Sequence, residues 1–322
     1  MNHQRYLNWL LSTTSPAVRS WVGDEVLLAS LGDDLSQTIA DRIDSVEWGQ
    51  RYACACPCEG ASPEDYHRRE LQLSGDLSLL AGIHFCGSAK LFPFVGIYAQ
   101  SREIAQGELR QVIDFLMGEF ALFEPTCVQL WSLAQAGDFP QLEDVHVSGD
   151  QRFVIGNLAE IIAGEAPAEP PAETGVLSLE KPVGLNCYQS YREIYEEFFT
   201  DYPRWYGRME IESRESLDEC DQCGGLSQVL VDGEFAGLIA AKPVCYRGVP
   251  GWLMIDEVLA KPYRGRGIAP TMQRKFIEQL DQGRGNLVMG TIDNNNEPSL
   301  RTAMRNGRID AGGWLWGAGE SL

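Results

Sequence analysis

The stretch KPYRGRGIAPTMQRKF, residues 261–276, constrains the fold more than any other part of the chain. Before it, WLMIDEVLA (252–260) is an apolar run of strand length. After it, APTMQRKFIEQLDQ carries Met272, Phe276, Ile277 and Leu280 on one side of a helix. The unit is therefore strand, glycine turn, helix. Gly265 and Gly267 let the backbone take conformations that a side chain forbids, and they leave N–H groups uncovered. The helix start adds unpaired donors and the positive end of its dipole. Such a turn either connects two elements or grips a phosphate or pyrophosphate, with Arg264 and Arg266 available for charge-assisted bonds. It is not a dinucleotide-binding turn, because the glycine spacing departs from GxGxxG, and no GK[ST] phosphate loop is present.

The flanking sequence extends the pattern. GVLSLEKP (175–182) reads as a strand. NCYQSYREIYEEFFTDYP follows as a helix with Tyr188, Tyr191, Ile194, Tyr195 and Phe198 at helical spacing, closed by Pro203. LSQVLVDGEFAGLIAAKPV is a hairpin about Asp232-Gly233. NLVMGTI reads as a buried strand, EPSLRTAMRNG as a short helix and GGWLWGAG as a last strand. AGEAPAEPPAETG (163–175) is rich in proline, alanine and glutamate without an apolar period, the composition of an extended linker. It divides the chain into 1–162, the linker 163–175, and 176–322.

The first half repeats the strand–helix–strand rhythm. SLLAGIHFCGS and PFVGIYAQS read as strands, SREIAQGELRQVIDFLMGEFALF as a long amphipathic helix and TCVQLWSLA as another strand. An internal, diverged duplication follows, which different strand orders in the two halves would refute. Where the second half has its glycine turn, the first has Ser101-Arg102-Glu103-Ile104-Ala105, with no glycine and a carboxylate that repels phosphate.

The net charge of −20 sits mostly in the first half, since residues 175–322 hold 21 acidic against 16 basic side chains. A surface of that sign repels nucleic acid and anionic membranes, so neither is an expected partner. It keeps a protein soluble and also suits a cationic substrate. No apolar run approaches the roughly 20 residues of a membrane span. MNHQRYLNWLLSTTSP lacks the layout of a secretion signal, which points to the cytoplasm. Nine cysteines in such a chain are expected to be reduced. Cys54 and Cys56 are two apart, on one face of a strand, and Cys220/Cys223 lacks a second CxxC at zinc-ribbon spacing, so no metal site is expected.

At Arg264-x-x-Gly267-x-Ala269 the residues carry a resemblance. The run matches the (Q/R)xxGx(G/A) motif of the GCN5-related N-acetyltransferase (GNAT) superfamily, whose turn and helix start hold the pyrophosphate of acetyl-CoA. IDEVLAKPYR resembles that family's fourth strand, and NLVMGTIDNNNEPSLRTAMRNGR its fifth strand, conserved asparagine (Asn296) and glycine-ended helix (Gly307). The resemblance covers roughly residues 175–316 and implies an α+β fold with a mostly antiparallel sheet splayed between strands 4 and 5. It implies tandem copies if the first half shares the fold. It further implies that Val258, Leu259 and Ala260 lie along the acyl and pantetheine arm. The amides of Arg266, Gly267, Ile268 and Ala269, beside Gly265, face the pyrophosphate, and Asn296 contacts the cofactor.

Transfer to an amine needs a group that takes the amine's proton. Asp256 and Glu257 end the fourth strand. As neighbours they point to opposite faces, so one is expected to line the cleft, and Glu257 is favoured. The family's thiolate-protonating tyrosine, seven positions after the asparagine, is Ala303 here, and the aromatic after the glycine is Arg308. Either Tyr263 or a water serves as the proton donor, or the leaving thiolate needs no dedicated acid. The tyrosine-rich helix reads as core, or as one wall of the acceptor pocket with Glu193, Glu196 and Glu197. The expected activity is acetyl-CoA-dependent N-acetylation of a primary amine by direct attack in a ternary complex, by a monomer or homodimer. The alternative is a CoA-binding regulatory or interaction protein without turnover.

Overall fold

The computed structural model describes residues 3–34, 42–86, 92–139, 145–207 and 209–319. Four helices open the chain: α1 (His3–Ser12), α2 (Pro16–Val22), α3 (Asp24–Asp34) and α4 (Val46–Ala55). Then come β1 (Arg69–Ser74), β2 (Leu77–Cys86), β3 (Phe92–Gln100), α5 (Leu109–Glu119), β4 (Cys127–Ser132), β5 (Val145–Asn157) and α6 (Leu158–Ala163). The second half holds β6 (Leu177–Glu180), α7 (Tyr188–Asp201), α8 (Arg214–Gln222), β7 (Leu226–Val231), β8 (Glu234–Tyr246) and β9 (Val249–Leu259). It ends with α9 (Ile268–Gln279), β10 (Leu287–Asp293), α10 (Glu297–Arg305) and β11 (Ile309–Gly319).

The strands form one sheet of eleven in the order β1-β2-β3-β4-β11-β5-β10-β9-β8-β7-β6. All neighbours are antiparallel except β3 with β4 and β9 with β10. From the central β11–β5 pair outwards, β4, β3, β2 and β1 on one side match β10, β9, β8 and β7 on the other. Each parallel pair is bridged by a helix, α5 or α9. The two halves therefore share a strand order, as the duplication required. They also exchange their last strands: β5 of the first half lies between β10 and β11 of the second, and β11 lies between β4 and β5. Arg152 of β5, 1% exposed, makes an ion pair of 2.7 Å with Asp310 of β11, tying the exchanged strands together.

The hairpin of β7 and β8 turns on Asp232 and Gly233, with φ of 51° and 83° as that turn demands. Helices cover both faces of the second half. Met272, Phe276 and Ile277 of α9 pack on Val229, Ile239 and Trp252, while Tyr191 and Tyr195 of α7 pack with Leu217 of α8 on Leu238 and Ala240.

Some expectations are corrected. The long helix from Ser101 shortens to α5, because Glu103 turns inward: its carboxylate accepts from Ser132 Oγ (2.6 Å) and the Leu133 N–H (2.9 Å). Cys54 lies in α4 and Cys56 at its end, so the pair is on a helix and not a strand. The strand foreseen over SLLAGIHFCGS ends at Cys86, and Gly87 and Ser88 lie outside the described residues. β5 was not anticipated at all.

Candidate active site

Val288 pairs with Trp252 and Met289 with Leu253, and there the β9–β10 ladder ends. β10 continues to Asp293 paired only with β5, and β9 continues to Leu259 paired only with β8. The two strands part, as the resemblance implied for strands 4 and 5. A cleft of about 300 Å³ opens between them, bordered by Tyr195, Trp205, Asp256, Glu257, Thr291 and Arg308. Asn296 and Ser299 line it from the start of α10, and Gln151 lines it from the exchanged strand β5.

Beyond the parting lies the glycine turn. Gly265 and Gly267 have φ of 74° and 76°, where a side chain would be strained. A Cβ built on either meets nothing within 4 Å, so the space over the turn is open. Gly267 caps α9 without a side chain, and the first turn of α9 carries no acidic residue. The amides at this helix start lack the usual side-chain or carboxylate partner. Ile268 is buried against Phe276 and its neighbours and fixes the helix on the sheet. Val258 and Leu259 pair with Leu238 and Gly237 of β8 along one edge, and the Ala260 N–H donates to Ala236 O (2.8 Å).

In the first half the equivalent turn is closed. Arg102 donates to both Glu108 oxygens (2.8 Å each) and to Asp76, and the Ala105 N–H donates to Glu108 (3.1 Å). Donors that a phosphate would need there are already taken by a carboxylate.

One arginine expectation changes. Arg264 turns inward: its Nε donates to Leu259 O (2.7 Å), its guanidinium lies 5.2 Å from the Phe198 ring, and its buried Nη2 has no partner. Its place is in support of the turn, because the short reach back to Leu259 satisfies a carbonyl at the strand end. Arg266 stays exposed, its guanidinium 6.0 Å from the Tyr263 ring. Tyr263 itself packs against the core under α9 and does not border the cleft.

Asp256 and Glu257 do point to opposite faces, yet both border the cleft. The expectation that only one could do so fails because the cleft opens along the strand edge that β10 has left, and an edge is reached from both faces. Asp256 is buried and faces α7, where its carboxylate accepts from the hydroxyls of Tyr191 and Tyr195, the latter at 2.7 Å. Burial pushes its pKa up to about 6, with the two phenols pulling the other way. Burial and the carboxylate raise both phenols far above their ordinary range.

Glu257 faces α9, where Gln273 Nε2 donates to it (2.5 Å). Burial raises its pKa, while Arg308 and Gln273 oppose the shift. Gln273 is in turn held by Asn306 Nδ2 (3.1 Å). Tyr191 and Tyr195 are thus core and site together. Glu193, Glu196 and Glu197 face solvent away from the cleft, and Glu210 and Glu212, after the helix, border it instead.

Ala303 is fully buried on the inner face of α10. Asn296 caps α10 through its side chain (3.4 Å to the Ser299 N–H) at the cleft wall. Three contributors escaped the sequence reading. Arg308 looked only like a lost aromatic, Gln273 looked like a polar position of a helix, and Gln151 belonged to an unread strand.

The matched segment begins before α7 and ends at Gly307. Residues 185–307 match the family model described as acetyltransferase (GNAT) family. They form a GNAT acetyltransferase domain. The cleft, the glycine turn, Asp256, Glu257 and Asn296 all fall within it, while Arg308 follows its last residue and Gln151 comes from outside. No curated protein gives a match. Among solved structures, the chain is similar to a GCN5-related N-acetyltransferase from Sphaerobacter thermophilus (14% identity, 88% of this chain and 94% of that one, TM-score 0.46). It is also similar to a GNAT-family acetyltransferase from Colwellia psychrerythraea (10% identity, 86% and 98%, TM-score 0.45). A third is a tandem GNAT protein from the clavulanic acid biosynthesis pathway (13% identity, 72% and 77%, TM-score 0.40).

Proposed function

We propose that the GNAT domain transfers an acetyl group from acetyl-CoA to a primary amine by direct attack in a ternary complex. The observation that carries this reading is the parting of β9 from β10 beside the open start of α9. A pantetheine arm fits between strands that no longer pair, and a pyrophosphate fits over two glycines with open space above them. The amides of 266–269 serve the pyrophosphate, Val258 to Ala260 line the arm, and Asn296 holds the cofactor's edge.

On this reading Glu257 takes the amine's proton. Burial raises its pKa, which makes it a stronger base than an exposed carboxylate. Asp256, held by two phenols, shapes the acceptor side with Tyr195. Carboxylates of Glu210, Glu212 and Asp293 at the same cleft favour a cationic acceptor. Residues 176–322 supply the chemistry, and the first half contributes a wall through β5.

The test is amine-dependent release of CoA thiol from acetyl-CoA over a broad amine panel. Turnover is expected, and Glu257→Gln is expected to lower kcat about a hundredfold or more. A protein that binds acetyl-CoA while no amine raises thiol release above hydrolysis would be a CoA-binding regulator instead.

A further inference from the structure

Arg308 is 3% exposed, and no carboxylate among the described residues lies within ion-pair distance of it. Its Nε is buried without a hydrogen-bond partner. The side chain leaves the turn after α10, where the Arg308 N–H donates to Ala303 O (3.2 Å), and reaches the root of the parted strands. A Cβ built on Gly290 would sit 3.6 Å from Arg308 Nη1 and 3.4 Å from the Met254 side chain, so the guanidinium lies against β10 one residue past the last β9 pair. Gly156 of β5 makes room for it, since a Cβ there would meet Arg308 Cγ at 3.2 Å.

A buried cation without a close counter-ion is costly, so a bound anion would stabilise it strongly. Burial lowers its pKa to about 10, which leaves it charged at neutral pH, and the charge of Glu257 helps to keep it so. Asp256, Glu210, Glu212 and Asp293 also border the cleft, and Asp256 is tied to its two phenols on the opposite face of β9.

We propose that Arg308 stabilises the CoA thiolate as it leaves, so that the reaction proceeds without the phenol missing at Ala303. This rests on the acetyltransferase reading. The neutral amine attacks the acyl carbon, the C–N bond forms and the C–S bond breaks with its electron pair going to sulfur. The surplus proton on nitrogen passes to Glu257, and CoA leaves as thiolate. As Glu257 becomes neutral, the guanidinium loses one anion and gains another, so a fixed cation does the work of a proton donor.

The full chain is titrated calorimetrically at pH 9 with CoA and with its S-methyl thioether, which cannot ionise. If the cation lowers the bound thiol's pKa by about one unit, CoA binds severalfold tighter than the thioether. Arg308→Met should bind both alike, and Arg308→Lys should keep part of the preference. Continued binding of the thioether shows that a variant is folded. Equal affinities in the unaltered protein, or a preference that survives Arg308→Met, would overturn the role of Arg308. Failure of the unaltered protein to bind either compound would instead overturn the acetyltransferase reading.

Discussion

Among single residues, Asp256 and Glu257 carry most of the proposed chemistry. Both carboxyls have folded pKa values raised by burial, Asp256 to about 6. A raised acid binds its proton more tightly in the folded state. Its contribution to stability is therefore greatest below the ordinary value and falls as pH rises from about 4 through 6, by a few kcal/mol for a fully buried group. Denaturant melts across this range should show a smaller pH dependence in Asp256→Asn than in the unaltered protein. The phenol hydrogen bonds oppose the shift, so Tyr195→Phe should move the Asp256 titration upward when followed by carbon NMR. An equal or lower value would deny that the phenol favours the charged form. On the proposed mechanism activity needs an ionised base, so kcat/KM should fall on the acid side, and the limb should change in Glu257→Gln. The pair and the glycines were legible because strand alternation and positive φ leave marks in sequence. Arg308, Gln273 and the Asp256–tyrosine contacts were not, since they join residues between 16 and 65 positions apart, which no local pattern records.

The elements that matter most are β9, the glycine turn and α9, whose apolar periods and glycine spacing were legible. Gly225 shows how closely the supporting strands approach: a Cβ there would lie 2.0 Å from Ala241 O. Gly225→Ala should cost about 2–3 kcal/mol by displacing the backbone of β8, measured as a lower denaturation midpoint. No loss would mean that the contact relaxes freely. β5 escaped notice for a physical reason. VHVSGDQRFVIGN alternates weakly, Gly149 and Asp150 interrupt it, and its pairing partners come from the other half of the chain. The tyrosine-rich helix was read from its period, and its packing came out as expected. That its hydroxyls converge on Asp256 was decided by a strand 55 residues beyond its end, from Asp201 to Asp256.

At the scale of the whole molecule, the exchanged strands join the halves more firmly than the proline-rich segment separates them. Residues 176–322 alone would leave β10 without β5, exposing a long edge and the buried faces of Phe153 and Ile155's partners. That fragment should show no cooperative melt by circular dichroism, and co-expression with residues 1–162 should restore one. A stable fragment would show that the exchange is dispensable. Arg152→Met, which strips the buried partner from Asp310, should cost about 3–5 kcal/mol and weaken both halves together. The rhythm of the two halves was legible in sequence, but the exchange was not, because order along the chain carries no record of which copy a last strand joins. On the proposed reading one half grips CoA and the other does not. Calorimetric titration of the full chain with acetyl-CoA tests it most directly. One site per chain, abolished by Gly267→Glu, is the predicted result; two sites, or none, would contradict it.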